Sequence, residues 1–114
     1  MVSIATFRKI ALSFPGATED IHFEKISFKA NKKIFATYDS QLKRACIRLS
    51  EMDQHIFSTA DKENIFPVDN KWGQQGWTLV EMTRVRKELF TDALTTAYCQ
   101  VAPKKLAELV SIRK

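Results

Sequence analysis

The sequence is short of the residues that most specialised sites need. Its 114 residues include two cysteines, two histidines, three glycines and three prolines. Cys46 and Cys99 do not form a C-x-x-C pair. A disulfide framework is therefore not expected, and two lone thiols fit a reducing cytoplasm. Three glycines are too few for a Gly-rich phosphate cradle, and no Walker loop, G-x-S-x-G or H-E-x-x-H is present. No apolar run approaches the ~18 residues of a membrane span. The first ten residues carry Arg8 and Lys9 but no apolar block with a cleavage site, so no secretory signal is expected. Repeats, low-complexity tracts and Gly/Ser linkers are also absent. With 45% hydrophobic and 27% charged residues, the chain reads as one globular domain over residues 1–114.

What the chain has in excess is positive charge, unevenly spread. The net charge is +5 and the sequence pI is about 9.4. Residues 1–50 hold nine Lys/Arg against four Asp/Glu, a balance of +5. Residues 51–83 come to −4 and residues 84–114 to +4. Two readings fit. One is an ordinary solvated surface. The other is a basic face for a polyanion, with the acidic segment turned away from it.

Hydrophobic periodicity places the elements. Ser3 can cap a helix in which Ile4, Phe7, Ile10, Ala11 and Phe14 recur at helical spacing, and Pro15-Gly16 ends it. From Ile21 the period becomes two: Ile26, Phe28 and Ala30 face one way, Lys25, Ser27 and Lys29 the other. Turns at Asn31-Lys32 and Asp39-Ser40-Gln41 separate this strand from two more, over residues 33–38 and 43–49. In the last of these Ala45, Ile47 and Leu49 oppose Arg44, Cys46 and Arg48. In the middle strand Ile34, Ala36 and Tyr38 compete with Phe35 for the core.

Ser50-Glu51-Met52-Asp53 resembles a capping box and opens a short helix. Residues 60–76 look irregular, and residues 77–82 read as a strand. A helix over residues 85–101 buries Leu89, Phe90, Ala93, Leu94, Ala97, Tyr98 and Val101. Pro103 starts a last helix. The order α-β-β-β-α-β-α-α implies an α+β fold: an antiparallel sheet with helices packed on one face.

With helices on one face, the other face carries Lys25, Lys29, Arg44 and Arg48, with Lys33 and Phe35 as further candidates, and the turns add Lys32 and Lys43. A half-buried sheet needs polar residues outside, but it does not need nearly all of them cationic. Such a face suits phosphates. Arg84, Arg86 and Lys87 crowd the start of the long helix, where the helix dipole disfavours cations and free N–H groups attract anions. Either they form a secondary anion site, or the helix begins a turn earlier, or Glu81 and Glu88 neutralise them. Trp72 and Trp77 flank a Gly- and Gln-rich stretch. Trp72 is the candidate for a surface stacking ring, while Trp77 opens a strand.

Enzymatic constellations are weak. Glu19, Asp20, His22 and Glu24 are close in sequence, but alternation splits them between faces, so no metal is expected. Cys46, on the basic face, could have an acidified thiol. Cys99 falls among core positions.

Several segments in order carry a family resemblance. They are Phe14-Pro15-Gly16-Ala17-Thr18-Glu19, His22-Phe23, Phe28, Lys33-Ile34-Phe35-Ala36, Gly76-Trp77, Ala97-Tyr98 and Val101-Ala102-Pro103-Lys104-Lys105. Together they resemble the MmcQ/YjbR family across nearly the whole chain. The resemblance implies a frataxin-like (CyaY-like) α+β sandwich, described as a double-wing DNA-binding arrangement, with the hairpins at Asn31-Lys32 and 39–41 as wings. The chain departs from the family in having Glu24 and Lys32 where glycine is usual, Ala97 for Ser and Ala102 for Leu. Frataxin-like iron binding does not carry over, because the first helix has no acid before Glu19.

The expectation is a cytoplasmic, monomeric, non-enzymatic protein that binds DNA phosphates, with no cofactor and no membrane contact. Lys25, Lys29, Lys32, Lys33, Lys43, Arg44 and Arg48 form its main face, with Arg84, Arg86 and Lys87 as a second site. The alternative is a protein- or small-ligand-binding module using Trp72, or a pocket lined by His22, Trp77 and Tyr98. A third reading is an enzyme using Cys46 or His22.

Overall fold

A computed structural model describes residues 2–22 and 25–111. Phe23 of the family resemblance and the atypical Glu24 lie outside the described residues. Helix α1 spans Ile4–Ser13, and the Ser3 hydroxyl accepts the Thr6 N–H at 3.2 Å. Phe7 and Ala11 bury its inner side. The helix ends at Phe14, held extended at φ −75° and ψ 144°. The cause is Pro15, which disfavours helical geometry at the residue before it.

Six antiparallel strands follow the order β1-β2-β3-β4-β6-β5 across one sheet. They are β1 (Ala17–His22), β2 (Lys25–Ala30), β3 (Lys33–Asp39), β4 (Arg44–Arg48), β5 (Ile65–Pro67) and β6 (Trp77–Glu81). The helices after α1 are α2 (Glu51–Ala60), α3 (Lys71–Gln74), α4 (Lys87–Val101) and α5 (Lys104–Ser111). Residues of α1, α2, α4 and α5 share a single core with one face of the sheet. Fold class and one-sided packing match the sequence reading. The element order differs by two strands and a short helix.

These additions have physical reasons. In β1 only Ala17 and Glu19 are half-buried and the other four residues are exposed, so the strand shows no hydrophobic alternation. β5 has three residues and contains Pro67, which an edge strand tolerates because the missing N–H faces no neighbour. β3 resolves its competition with a bulge. Phe28 pairs with Ala36 and Lys29 with Ile34, leaving Phe35 as the extra residue. Phe35 and Ala36 are both fully buried, while Ile34 turns outward.

Ser50 caps α2, accepting the Asp53 N–H at 3.1 Å and donating to its carboxylate at 3.0 Å. The Gln54 amide of α2 donates to the Gly73 carbonyl at 2.9 Å and to the Thr78 hydroxyl at 3.1 Å. This ties the end of α3 and the start of β6 to the core. In α4, Phe90, Ala93, Leu94, Ala97 and Tyr98 are fully buried, as the stripe implied. Tyr98 stacks on Phe14 at 4.7 Å and meets Phe35 edge-on, and its hydroxyl donates to the Pro15 carbonyl. Tyr98 therefore belongs to the core and offers no surface for a ligand. Among the described residues no helix is long and apolar enough to cross a membrane.

Candidate functional site

Strand register decides which cations share a face. Lys25, Ser27 and Lys29 lie opposite His22, Asp20 and Thr18 of β1. Across β2–β3, Lys25 faces Asp39 and Ser27 faces Thr37. Across β4–β6, Arg44 faces Glu81, Cys46 faces Leu79 and Arg48 faces Trp77. Cross-strand partners point to the same side of a sheet. The face away from the helices thus carries Lys25, Lys29, Arg44 and Arg48, as the alternation predicted.

It also carries acids contributed by β1, β3 and β6. Lys29 Nζ lies 2.7 Å from Asp20 Oδ2, and Arg44 Nε lies 2.6 Å from Glu81 Oε2. Two of the four cations are neutralised, so the face is not the continuous basic layer the sequence suggested. The reason is tertiary: Asp20 and Glu81 lie far from the meander in sequence or outside its three strands, and only the pairing with β1 and β6 brings them beside it.

The turns separate as well. Asn31-Lys32 and residues 40–43 cap opposite ends of β3, a seven-residue strand of about 20 Å. Lys43, with φ +54°, belongs to the end holding Lys25, Asp39 and Glu81, where its carbonyl accepts the Met82 N–H. Arg84, Arg86 and Lys87 follow β6 at this same end. α4 begins at Lys87 with Arg86 as N-cap and no side-chain cap bond, and Glu88 and Asp92 share the shallow depression beside Lys87. Asp39, Glu81, Glu88 and Asp92 lie among the cations of this end, and of those cations only Arg44 is in an ion pair among the described residues. The two hairpins therefore do not form a pair of wings on one side.

A second group of cations lies at the other end. A cleft of about 520 Å³ is lined by Lys32, Lys33, Ile34, Arg48, Trp77, Gln100 and Val101. Three cations converge there, and among the described residues no carboxylate lies within ion-pair range of them. Arg48 is held in place by its Nε, which donates to the Gln75 carbonyl at 3.2 Å, and its guanidinium lies 5.6 Å from the Trp77 ring centroid. Trp77 is set by Gly76, at φ +105°, which lets the Gly76 carbonyl accept the Leu49 N–H at 3.0 Å. Asn31 and Lys32 form the hairpin turn at φ +51° and +79°. Both central residues at positive φ define the I′ type of two-residue hairpin, a geometry that favours glycine. Lys32 is held in strained backbone at the tip.

The other candidates lie elsewhere. His22 is at the opposite end, beside Lys25, and Trp72 is half-exposed on α3 with Lys71 Nζ 6.0 Å from its ring. His22, Trp77 and Tyr98 are not brought together. Burial pushes the Cys46 thiol up to about 11, outweighing a hydrogen bond from the Thr78 backbone and the charge of Lys25. The basic neighbours do not acidify it. Glu19 faces inward to a bidentate bond from Arg8 at 3.0 Å, while Asp20 and His22 face outward. Among the described residues no group of three or more His, Cys, Asp and Glu is placed to hold a metal.

The fold is an α+β sandwich with helices packed on one face of a six-stranded antiparallel sheet. The chain belongs to the YjbR family, whose model matches residues 12–100. The crystal structure of Deinococcus radiodurans protein DR2400, described as a DUF419 domain, has a similar fold. The TM-score is 0.73 at 21% identity, covering 96% of this chain and 86% of that one. No curated protein matches the chain.

Proposed function

We propose that this chain is a non-enzymatic DNA-binding module that holds backbone phosphates at the cleft formed by Lys32, Lys33 and Arg48. The observation carrying this reading is the convergence of three cations, free of carboxylates among the described residues, around a half-buried tryptophan. Phosphates are attracted by such clusters and release condensed counterions on binding. The strained backbone of Lys32 supports it, since a lysine at φ +79° costs stability that a glycine would not. The rest of the sheet face, with Lys29 and Arg44 paired, contributes less than its lysine and arginine count implies. Two free thiols fit a reducing compartment.

The test is a salt series with a short mixed-sequence DNA, comparing the native chain with Lys32→Gln/Lys33→Gln/Arg48→Gln. Three lost contacts should flatten the slope of log K against log salt by about 2 to 3. An unchanged slope, or no binding at ~50 mM salt, refutes the reading.

A second reading draws on the concavity of the cleft, whose volume lies within the roughly 300–1,000 Å³ of small-molecule sites. There a small phosphorylated ligand would replace DNA. Pyrophosphate binding at micromolar levels without measurable DNA affinity would favour it.

A further inference from the structure

We infer that the strand held here is single-stranded DNA, with one base stacked on Trp77 and a neighbouring base on Phe66. The inference rests on the phosphate-binding reading above and names the form of nucleic acid that site takes.

Trp77 faces Arg48, Leu79 faces Cys46, and Phe66 faces Leu79. Register therefore puts Trp77, Leu79 and Phe66 on the outer face with the two arginines. Trp77 and Phe66 are both half-buried rather than covered. They sit on neighbouring strands, Trp77 two residues along β6 from Leu79, the partner of Phe66, a diagonal at which Cα atoms are about 7–8 Å apart. Bases stacked in a duplex are about 3.4 Å apart per strand. The two rings thus suit bases splayed away from each other, a state that a single strand reaches without unpairing.

Each ring has its own cation. The Arg48 guanidinium lies 5.6 Å from the Trp77 centroid, and that of Arg44 lies 5.9 Å from the Phe66 centroid. A base can stack on the ring or on the guanidinium plane; at Trp77 the charge of Arg48 also serves the adjoining phosphate, whereas Arg44 is held by Glu81 and offers Phe66 its guanidinium plane only. The path begins at the cleft holding Lys32 and Lys33 and runs past Trp77 to Phe66, at the β5 edge of the sheet.

Charge placement argues against a duplex. A double helix laid across the outer face would meet Asp20, Asp39 and Glu81 as well as the cations. A single strand confined to the cleft and β6–β5 avoids Asp20 and Asp39. On β5 and β6 themselves the one carboxylate is Glu81, already paired with Arg44.

The test uses the full chain carrying Trp72→Phe, so that Trp77 is its sole tryptophan. A mixed-sequence 12-mer and its duplex are titrated at equal ionic strength, following fluorescence. The single strand should quench Trp77 and bind on the order of tenfold more tightly than the duplex. With affinity read from the anisotropy of a dye-labelled 12-mer, Trp77→Leu should cost on the order of tenfold in single-strand affinity without changing the salt slope, whereas Trp77→Phe retains most of it. Equal binding of both forms without quenching overturns the inference and leaves the phosphate reading standing. So does a duplex preference with no quenching by the single strand. Absence of binding by either form overturns both. If Trp77→Leu fails to fold, the quench and the Trp77→Phe affinity decide alone.

Discussion

Lys32 makes an unusual trade that a single substitution exposes. It occupies the second position of the β2–β3 turn at φ +79°, where L-residues are crowded and glycine is not. The left-handed region costs a non-glycine residue roughly 1–2 kcal/mol. Lys32→Gly removes that strain but makes the unfolded chain more flexible, which costs about 0.4–1 kcal/mol. The net expectation is a gain of about 0.5–1 kcal/mol. For a chain of this length 1 kcal/mol is worth about 4 °C, so Tm should rise by roughly 2–4 °C. Binding should move the other way. One lost phosphate contact flattens the salt slope by about 0.7 for a single strand or 0.9 for a duplex. Counterion release fades towards 1 M salt. Carried from 1 M to 50 mM, the lost contact amounts to about 8-fold for a single strand and about 15-fold for a duplex. Thermal unfolding and a salt-dependent titration of the same variant give both numbers. A variant that loses stability shows that the lysine side chain is structural. One that gains stability at undiminished affinity removes Lys32 from the binding site. Either result would refute the argument that strain is kept here for function.

Other consequences follow from the same geometry. Glu81→Gln frees Arg44 beside Phe66 and should raise single-strand affinity severalfold with a slope steeper by about 0.7, whereas Asp20→Asn, off the proposed path, should change affinity less than twofold; equal effects would point to the whole face. A Cβ at Gly76 would sit 1.8 Å from the Leu49 carbonyl oxygen at φ +105°. Gly76→Ala should therefore cost about 2–5 kcal/mol in urea unfolding, from backbone strain and the lost Leu49 bond. By contrast, a Cβ at Gly16 meets only the flexible Leu106 side chain at 3.1 Å, so Gly16→Ala should cost less; equal losses would refute the close-approach account. With its pKa near 11, Cys46 in a Cys99→Ala background should alkylate at pH 7.5 on the order of a hundredfold more slowly than free cysteine. The rate should rise as pH climbs towards 11, because only the thiolate reacts. Reaction at the free-cysteine rate would show that the thiol is not desolvated.

The sequence by itself determined the sheet phase, the one-sided helix packing and the α4 stripe. Each follows from a local period, since side chains alternate along a strand and recur every 3.6 residues along a helix. Lys25 with Lys29, and Arg44 with Arg48, share a side of their own strand for that reason, and the register through β3 puts the two pairs on one face. What those cations are worth was decided only by tertiary structure. Asp20 reaches Lys29 through the β1–β2 register, and Glu81 reaches Arg44 across 37 residues of chain. The Phe35 bulge, the separation of the two hairpin tips and the convergence of Arg48 with Lys32 and Lys33 beside Trp77 likewise depend on strand order. Local periodicity says which way a side chain points, while electrostatics depends on which distant side chain lies within a few ångström of it. That second quantity exists only once the strands have paired.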